Sequence, residues 1–166
     1  MNALTVFRIL FGTLWIIDGA IKLVLFQPYD TVTVSMVKNV SQGQPVWLQG
    51  WFNFWISTVS SSPTAFLYIA VAIELALGLA LIAGFLRKIT YVAGILYGLL
   101  LWSIFEGFGG PYRVGSTDVG TAIPYIFVFI LLIIVEKSAN YSKYSVDSIV
   151  ERKWKGWKRL AELRQF

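Results

Sequence analysis

Four long apolar segments constrain the fold of this chain more than any other feature of its sequence. They cover approximately residues 4–26, 64–86, 88–108 and 119–136. Each approaches the ~20 residues that an α-helix, rising ~1.5 Å per residue, needs to cross ~30 Å of hydrocarbon. Hydrophobic residues make up 57% of the 166-residue chain, so the sequence predicts an all-α membrane protein and excludes an ordinary soluble domain.

The basic residues indicate how these segments are oriented. Arg87 and Lys88 fill the link between the second and third segments, whereas the opposite loops carry only Lys38 and Arg113. Eight further cations follow the fourth segment: Lys137, Lys143, Arg152, Lys153, Lys155, Lys158, Arg159 and Arg164. The positive-inside rule then places both termini in the cytoplasm and the 27–63 and 109–118 loops outside. We predict a multi-pass cell-membrane protein in which residues 1–136 form an antiparallel four-transmembrane-helix bundle.

The first segment is expected to be a retained span. Its apolar run is too long for a signal-peptide core, and no small-residue cleavage site follows it.

Two segments outside the spans are predicted to be amphipathic helices. Aromatic residues between Pro45 and Pro63 favour an interfacial outer-loop helix, which is either a membrane anchor or a lid over a lipophilic ligand. The tail, 137–166, combines apolar residues at helical spacing with many cations, which favours a basic amphipathic C-terminal helix on the cytoplasmic membrane surface. Membrane lipid is the expected partner of these cations, and no nucleic acid is expected.

Few side chains are available to bind a metal or prosthetic group. The chain has no cysteine and no histidine, and its only methionines are Met1 and Met36. We therefore expect no haem, metal or iron–sulfur cluster held by this chain. A redox cofactor would be bound non-covalently or carried by a partner.

Charged residues within the apolar segments indicate where a site lies. A charge at membrane depth costs ~2.5–3.5 kcal/mol, so such residues usually face a bundle interior. Asp18 lies four residues before Lys22 and can pair with it, and Glu74 lies near the middle of the second segment. Lys22 is the nearest plausible partner of Glu74, and two interpretations stay open: a self-neutralising packing contact, or part of a functional site.

Small residues predict where helices approach closely. The first segment carries a face whose members follow steps of four and three: Arg8, Gly12, Trp15, Gly19, Lys22 and Phe26. The second segment carries small residues at every fourth position: Ala72, Ala76, Ala80 and Gly84. The third segment carries a stripe with the same four-residue spacing: Gly94, Gly98, Trp102 and Glu106.

The stretch 107–120 is rich in glycine and precedes the fourth segment. Arg113 and backbone N–H groups near the start of a helix provide the components of an anion site. The alternative is a tight turn in which Ser116, Thr117 or Asp118 caps the helix. Tyr125, one or two turns into the fourth segment, adds a hydroxyl to the same outer region.

These features together resemble the DoxD/DoxX family of small four-span membrane proteins. The resemblance covers residues 1–136 and rests on three groups of residues: Arg8, Gly12, Asp18, Gly19 and Lys22; Glu74 and Gly78; and Trp102, 106–109 and 115–120. DoxD proteins are membrane subunits of thiosulfate:quinone oxidoreductase in sulfur-metabolising archaea. The resemblance thus implies a respiratory-chain subunit that passes electrons from thiosulfate to quinone.

The resemblance also implies partners and roles for the predicted site residues. The partners are a DoxA-like small subunit and subunits of a terminal quinol oxidase. The roles implied are catalytic for Glu106, Asp118 and Glu74, substrate-binding for Arg113, Gly115, Ser116, Thr117, Lys22 and Asp18, and quinone-binding for Trp102 and Tyr125. A non-catalytic accessory subunit of a terminal quinol oxidase is the alternative. Transport has less support because no inverted repeat is visible.

Overall fold

The computed structural model describes residues 3–25, 29–110, 119–138 and 144–161, and the regular elements in these ranges are helices. The α-helices in these ranges are α1 (Ala3–Leu25), α2 (Tyr29–Ser41), α3 (Gln49–Ser61), α4 (Pro63–Ala83), α5 (Arg87–Phe105), α6 (Ala122–Ser138), α7 (Val146–Lys153) and α8 (Lys158–Ala161). Short 3₁₀ turns lie at Val46–Leu48, Gly107–Gly109 and Lys155–Trp157. The predicted all-α class is confirmed.

Three of the described helices, α1, α4 and α5, are long and apolar enough to cross a membrane. Helix α6 is equally apolar in character but has 17 residues, the lower end of the ~17–25 that a spanning helix uses. It packs along α5, with Phe129 and Leu132 completely buried. That α6 forms a fourth crossing stays a prediction.

Helices α1 and α4 form the most extensive helix pair, and two glycines permit their close approach. A Cβ atom at Gly12 would lie 2.8 Å from the carbonyl oxygen of Gly78, and one at Gly78 would lie 2.8 Å from that of Gly12. The predicted packing face of α1 is confirmed, since Arg8, Gly12, Trp15 and Gly19 are buried.

The predicted small-residue face of α4 is wrong. Ala72 and Ala76 are exposed, and Glu74 and Gly78 lie on the buried face instead. The reason is electrostatic: Glu74 has to meet a cation inside the bundle, and turning its face inward turns the alanines outward.

Glycines also bring α5 and α6 together. A Cβ at Gly94 would lie 2.1 Å from the ring of Phe129, and one at Gly98 would lie 2.7 Å from Ile126. The four-residue stripe on the third segment therefore faces α6. Phe129 is also in edge contact with Phe11 of α1, at 4.9 Å between ring centroids, so the two helix pairs share one core.

Helices α2 and α3 form a pair that packs on the long helices. Val37 of α2, Val59 of α3 and Ile104 of α5 form one buried cluster. The indole of Trp51 also donates a hydrogen bond to the carbonyl of Ser103, at 3.4 Å. The helix predicted in the aromatic outer loop is present as α3, whereas α2 was not predicted.

A buried charge network lies at the end of the bundle where α4 ends and α5 begins. The guanidinium of Arg87 contacts Glu136 at 3.2 Å and Asp147 at 3.1 Å. The hydroxyl of Tyr91 donates to Glu136 at 2.7 Å, and Arg8 lies 4.0 Å from the same carboxylate. The network therefore joins α1, α5, α6 and α7.

Asp147 anchors the C-terminal segment to this network. Its carboxylate accepts hydrogen bonds from the backbone N–H groups of Leu86 and Arg87, at 2.8 and 3.0 Å, and from the indole of Trp157, at 2.9 Å. The sequence favoured one helix from about residue 145, but the structure breaks it at Trp154 into α7 and α8. The break lets Trp157 return to Asp147, while the apolar side chain of Ile149 stays exposed.

Candidate functional site

Three charged side chains meet between α1 and α4. The ammonium group of Lys22 lies 2.6 Å from Asp18 Oδ2 and 2.7 Å from Glu74 Oε1. The predicted pairing of Asp18 with Lys22 is confirmed, and Lys22, which the sequence offered as the nearest plausible partner of Glu74, contacts that carboxylate. The side chain of Asp18 is 43% exposed, that of Lys22 17% and that of Glu74 0%, so the trio runs from the surface into the interior.

The two oxygens of the Glu74 carboxylate have different surroundings. Oε1 accepts hydrogen bonds from Lys22 and from the hydroxyl of Tyr97, the latter at 2.9 Å. Oε2 has no hydrogen-bond partner among the described residues, although it is buried. The indole nitrogen of Trp15 and the hydroxyl oxygen of Thr33 are also buried without a partner in this part of the chain. Burying an unsatisfied polar atom costs about 1–3 kcal/mol, so three of them in one region call for an explanation.

A cavity of about 240 Å³ lies beside these atoms, between α1, α2, α4, α5 and α6. Its polar lining comes from Asp18, Lys22, Thr33, Glu74, Glu106, Thr121 and Tyr125. The rest of the lining is mostly apolar or aromatic: Trp15, Met36, Phe66, Leu67, Ala70, Gly98, Leu101, Phe105 and Ala122. An apolar cavity with a few convergent polar groups is the usual form of a small-molecule site.

Aromatic rings form the wall nearest to α6. The rings of Trp15 and Tyr125 both line the cavity and are in edge contact at 5.4 Å between centroids, and the ring of Tyr97, which is not part of the lining, lies 5.9 Å from that of Trp15. Rings held in this way present flat and edge surfaces that suit an aromatic or quinonoid ligand.

Glu106 lines the same cavity, but its carboxylate is already engaged. Both of its oxygens lie 3.1 Å from the backbone N–H of Ala122, and the hydroxyl of Thr121 donates to Oε1. A carboxylate at the start of a helix is stabilised by the free N–H groups and the helix dipole. The backbone N–H of Ala122 is therefore taken by the chain's own carboxylate, whereas the predicted anion site at 113–118 lies outside the described residues.

The remaining predicted site residues lie elsewhere. Trp102 does not line the cavity; its indole donates to the carbonyl of Val119 at 2.7 Å, and its ring contacts Phe108. Trp102 and Glu106 both flank Gly120, where a Cβ would lie 2.9 Å and 2.4 Å from their side chains. Five of the predicted residues lie outside the described residues: Arg113, Gly115, Ser116, Thr117 and Asp118.

Sequence reasoning missed several residues of this site. Tyr97 bonds Glu74 directly, and Thr33 and Met36 bring α2 into the cavity wall. Trp15 was placed only on a packing face. No sequence signal marked Tyr97, because it is not a member of the stripe of four-residue steps that contains Gly98. Within the described ranges, no group of three or more His, Cys, Asp or Glu side chains is arranged to hold a metal ion.

The long apolar helices and the paired charges buried between them define a multi-pass, all-α membrane protein. Its charged trio, and the cavity lining on α1, α2, α4 and α5, fall within the part of the chain that a family model recognises, whereas Thr121, Ala122 and Tyr125 lie beyond it. The chain belongs to the DoxX family, whose model matches residues 3–107, more than half of its length. Comparison with curated proteins and with solved structures gave no match.

Proposed function

We propose that this chain is the quinone-binding membrane subunit of a quinone-linked oxidoreductase. The observation that carries the proposal is the cavity between the helices, in which a Lys22–Glu74 pair meets a wall of aromatic and aliphatic side chains. A quinone combines a flat, largely apolar ring with two polar oxygens, and the cavity offers complementary surfaces to both. Membership of the DoxX family supports the same class of function.

Thiosulfate is the proposed electron donor. Two thiosulfate ions release two electrons when they join through a new sulfur–sulfur bond, and a quinone takes up two electrons and two protons to become a quinol. In this proposal the present chain holds the quinone, and a DoxA-like small subunit takes part in the sulfur chemistry. The Arg113 loop is the proposed receptor for the dianion.

The charged trio is the proposed proton route of this reaction. Asp18 is partly exposed, Glu74 is fully buried beside the cavity, and Lys22 bridges them with short contacts. Protons for a buried quinone have to pass through groups that exchange them over hydrogen-bond distances. In this proposal Glu74 exchanges protons with the bound quinone, and Asp18 exchanges them with the exterior.

Blocking the cavity tests the quinone site. Ala70 lines the cavity, whereas Ala72 lies on the exposed face of the same helix. We expect purified Ala70→Trp to bind decylubiquinone at least ten-fold more weakly than the parent protein, because the indole fills the space. Ala72→Trp is the matched control and should bind normally.

The electron donor is tested separately. Membranes that contain the assembled complex should reduce decylubiquinone when thiosulfate is added, and the Ala70→Trp complex should lose this activity. Normal quinone binding without thiosulfate-dependent reduction would remove thiosulfate from the proposal and leave the quinone site. If the parent protein binds no decylubiquinone, the quinone site is wrong, and copurification with a terminal quinol oxidase would then favour the accessory role.

A further inference from the structure

We infer that the cavity binds the quinol, the reduced form of its ligand, more tightly than the quinone. In this inference Glu74 accepts a hydrogen bond from a quinol hydroxyl, and the indole of Trp15 donates one to an oxygen of either form. This inference rests on the proposed quinone site and adds which redox state the site prefers. It is carried by the buried polar atoms that have no partner among the described residues.

The first step concerns Glu74. Its Oε1 is satisfied by Lys22 and Tyr97, so its remaining capacity to accept a hydrogen bond is concentrated at Oε2. The terminal torsion of a glutamate is broad, so a small rotation presents Oε2 to the cavity that Glu74 lines. A carboxylate paired with an ammonium group is an acceptor, and a ligand must therefore bring a donor to it.

The second step concerns Trp15. An indole nitrogen can only donate, and that of Trp15 has no partner in the described part of the chain. Its ring is fixed by Tyr97 and Tyr125, so the direction of the N–H group is fixed as well. The ligand must therefore also carry an acceptor, and the hydroxyl of Thr33 can complement either kind of group.

These requirements distinguish the two redox forms. A quinol has hydroxyl groups that donate to Glu74 and oxygens that accept from Trp15. A quinone has only carbonyl acceptors, and one of them placed against Glu74 would bring two acceptors together. A hydrogen bond to a charged group is worth enough to change affinity about ten-fold or more, so we expect quinol to bind at least that much more tightly.

The preference has a redox consequence. A ten-fold preference for the reduced form raises the two-electron potential of the bound couple by about 30 mV. The bound quinone is then a stronger oxidant than the free quinone, which favours electron flow into the site.

The experiment compares binding of decylubiquinol and decylubiquinone to the purified protein in detergent by calorimetry. The parent protein should bind the quinol at least ten-fold more tightly. In Glu74→Gln the quinol should lose this advantage, while quinone affinity is kept or improved, because an amide can donate to a carbonyl. Trp15→Phe should weaken both forms by similar factors. The matched control is Glu151→Gln, the same substitution on α7, which should change neither affinity.

Each outcome has a separate meaning. Equal binding of the two forms by the parent protein would overturn the inference and leave the quinone site intact. Binding of neither form would overturn the proposed function and this inference with it. If Glu74→Gln does not fold, the reduction potential of the quinone bound to the parent protein is measured instead of the affinities of that variant. A potential equal to that of the free couple would refute the preference, and a rise of about 30 mV or more would support it.

Discussion

Replacing Lys22 by methionine tests whether this lysine holds the buried charge of Glu74. Lys22 contacts Glu74 at 2.7 Å, and the glutamate side chain is completely buried. Methionine keeps most of the length and apolar character of the lysine stem and removes only the ammonium group. The variant therefore leaves a buried carboxyl whose remaining hydrogen-bond donor is Tyr97.

The loss of stability in Lys22→Met has an upper bound. An uncompensated buried charge costs ~3–5 kcal/mol, but the folded variant can avoid this cost by taking up a proton. For a carboxyl with a pKa of ~4.3 in water, that uptake costs about 4 kcal/mol at pH 7 and about 1 kcal/mol at pH 5. Methionine is also easier to bury than lysine, so we expect a net loss of about 2–4 kcal/mol at pH 7.

The sign of the pH dependence follows from proton binding. The folded variant holds a proton on Glu74 that the unfolded chain releases above pH ~4.3. The stability of the variant relative to the parent should therefore fall as the pH rises from 5 to 7.

Denaturation in detergent, followed by circular dichroism at pH 5 and pH 7, measures the difference. Adding Glu74→Gln to Lys22→Met should restore much of the stability at pH 7, because no charge is then left unpaired. Asp18→Asn serves as the matched control: its side chain is 43% exposed, so its loss should cost less than about 1 kcal/mol. If Lys22→Met is as stable as the parent at pH 7, or if the double variant is no better than the single one, the reasoning is refuted.

Two further predictions concern packing and the C-terminal anchor. Gly94→Ala should lower stability by about 1–3 kcal/mol or more in the same assay, because its Cβ would lie 2.1 Å from the buried ring of Phe129. Gly50→Ala, with nothing within 4 Å of its Cβ, should not be destabilised, and equal losses would contradict this packing. Asp147→Asn should release the C-terminal segment from Arg87 and speed trypsin cleavage after α7, since a buried charge-assisted contact of 3.1 Å is lost. Unchanged cleavage would show that the segment is held by other contacts.

Some parts of the site could be predicted from the sequence because charges in apolar segments have few alternatives. Asp18 and Lys22 are four residues apart on one helix, which fixes their proximity once the helix forms. The depth of Glu74 then made Lys22 its nearest plausible partner. The sequence alone left this contact open, and the structure shows it at 2.7 Å.

Other parts carried no comparable signal. A tyrosine in an apolar helix, such as Tyr97, looks like any other core residue until its neighbour is known. Helix α2, Tyr29–Ser41, contains four consecutive β-branched residues at 31–34, a composition typical of a strand, and the packing of Val37 against α3 and α5 overrides it. Arg87 was interpreted only as an orientation signal at a segment end, whereas the structure buries it against Glu136 and Asp147.

The buried charge network has a consequence for biosynthesis. The carbonyl that accepts a hydrogen bond from Arg8, that of Tyr144, is synthesised 136 residues after it. Arg87 likewise awaits Asp147, 60 residues further on. A nascent chain that stops before Tyr144 thus leaves both guanidinium groups without these partners. Synthesis of the segment from Tyr144 to Asp147 is therefore the step that supplies them.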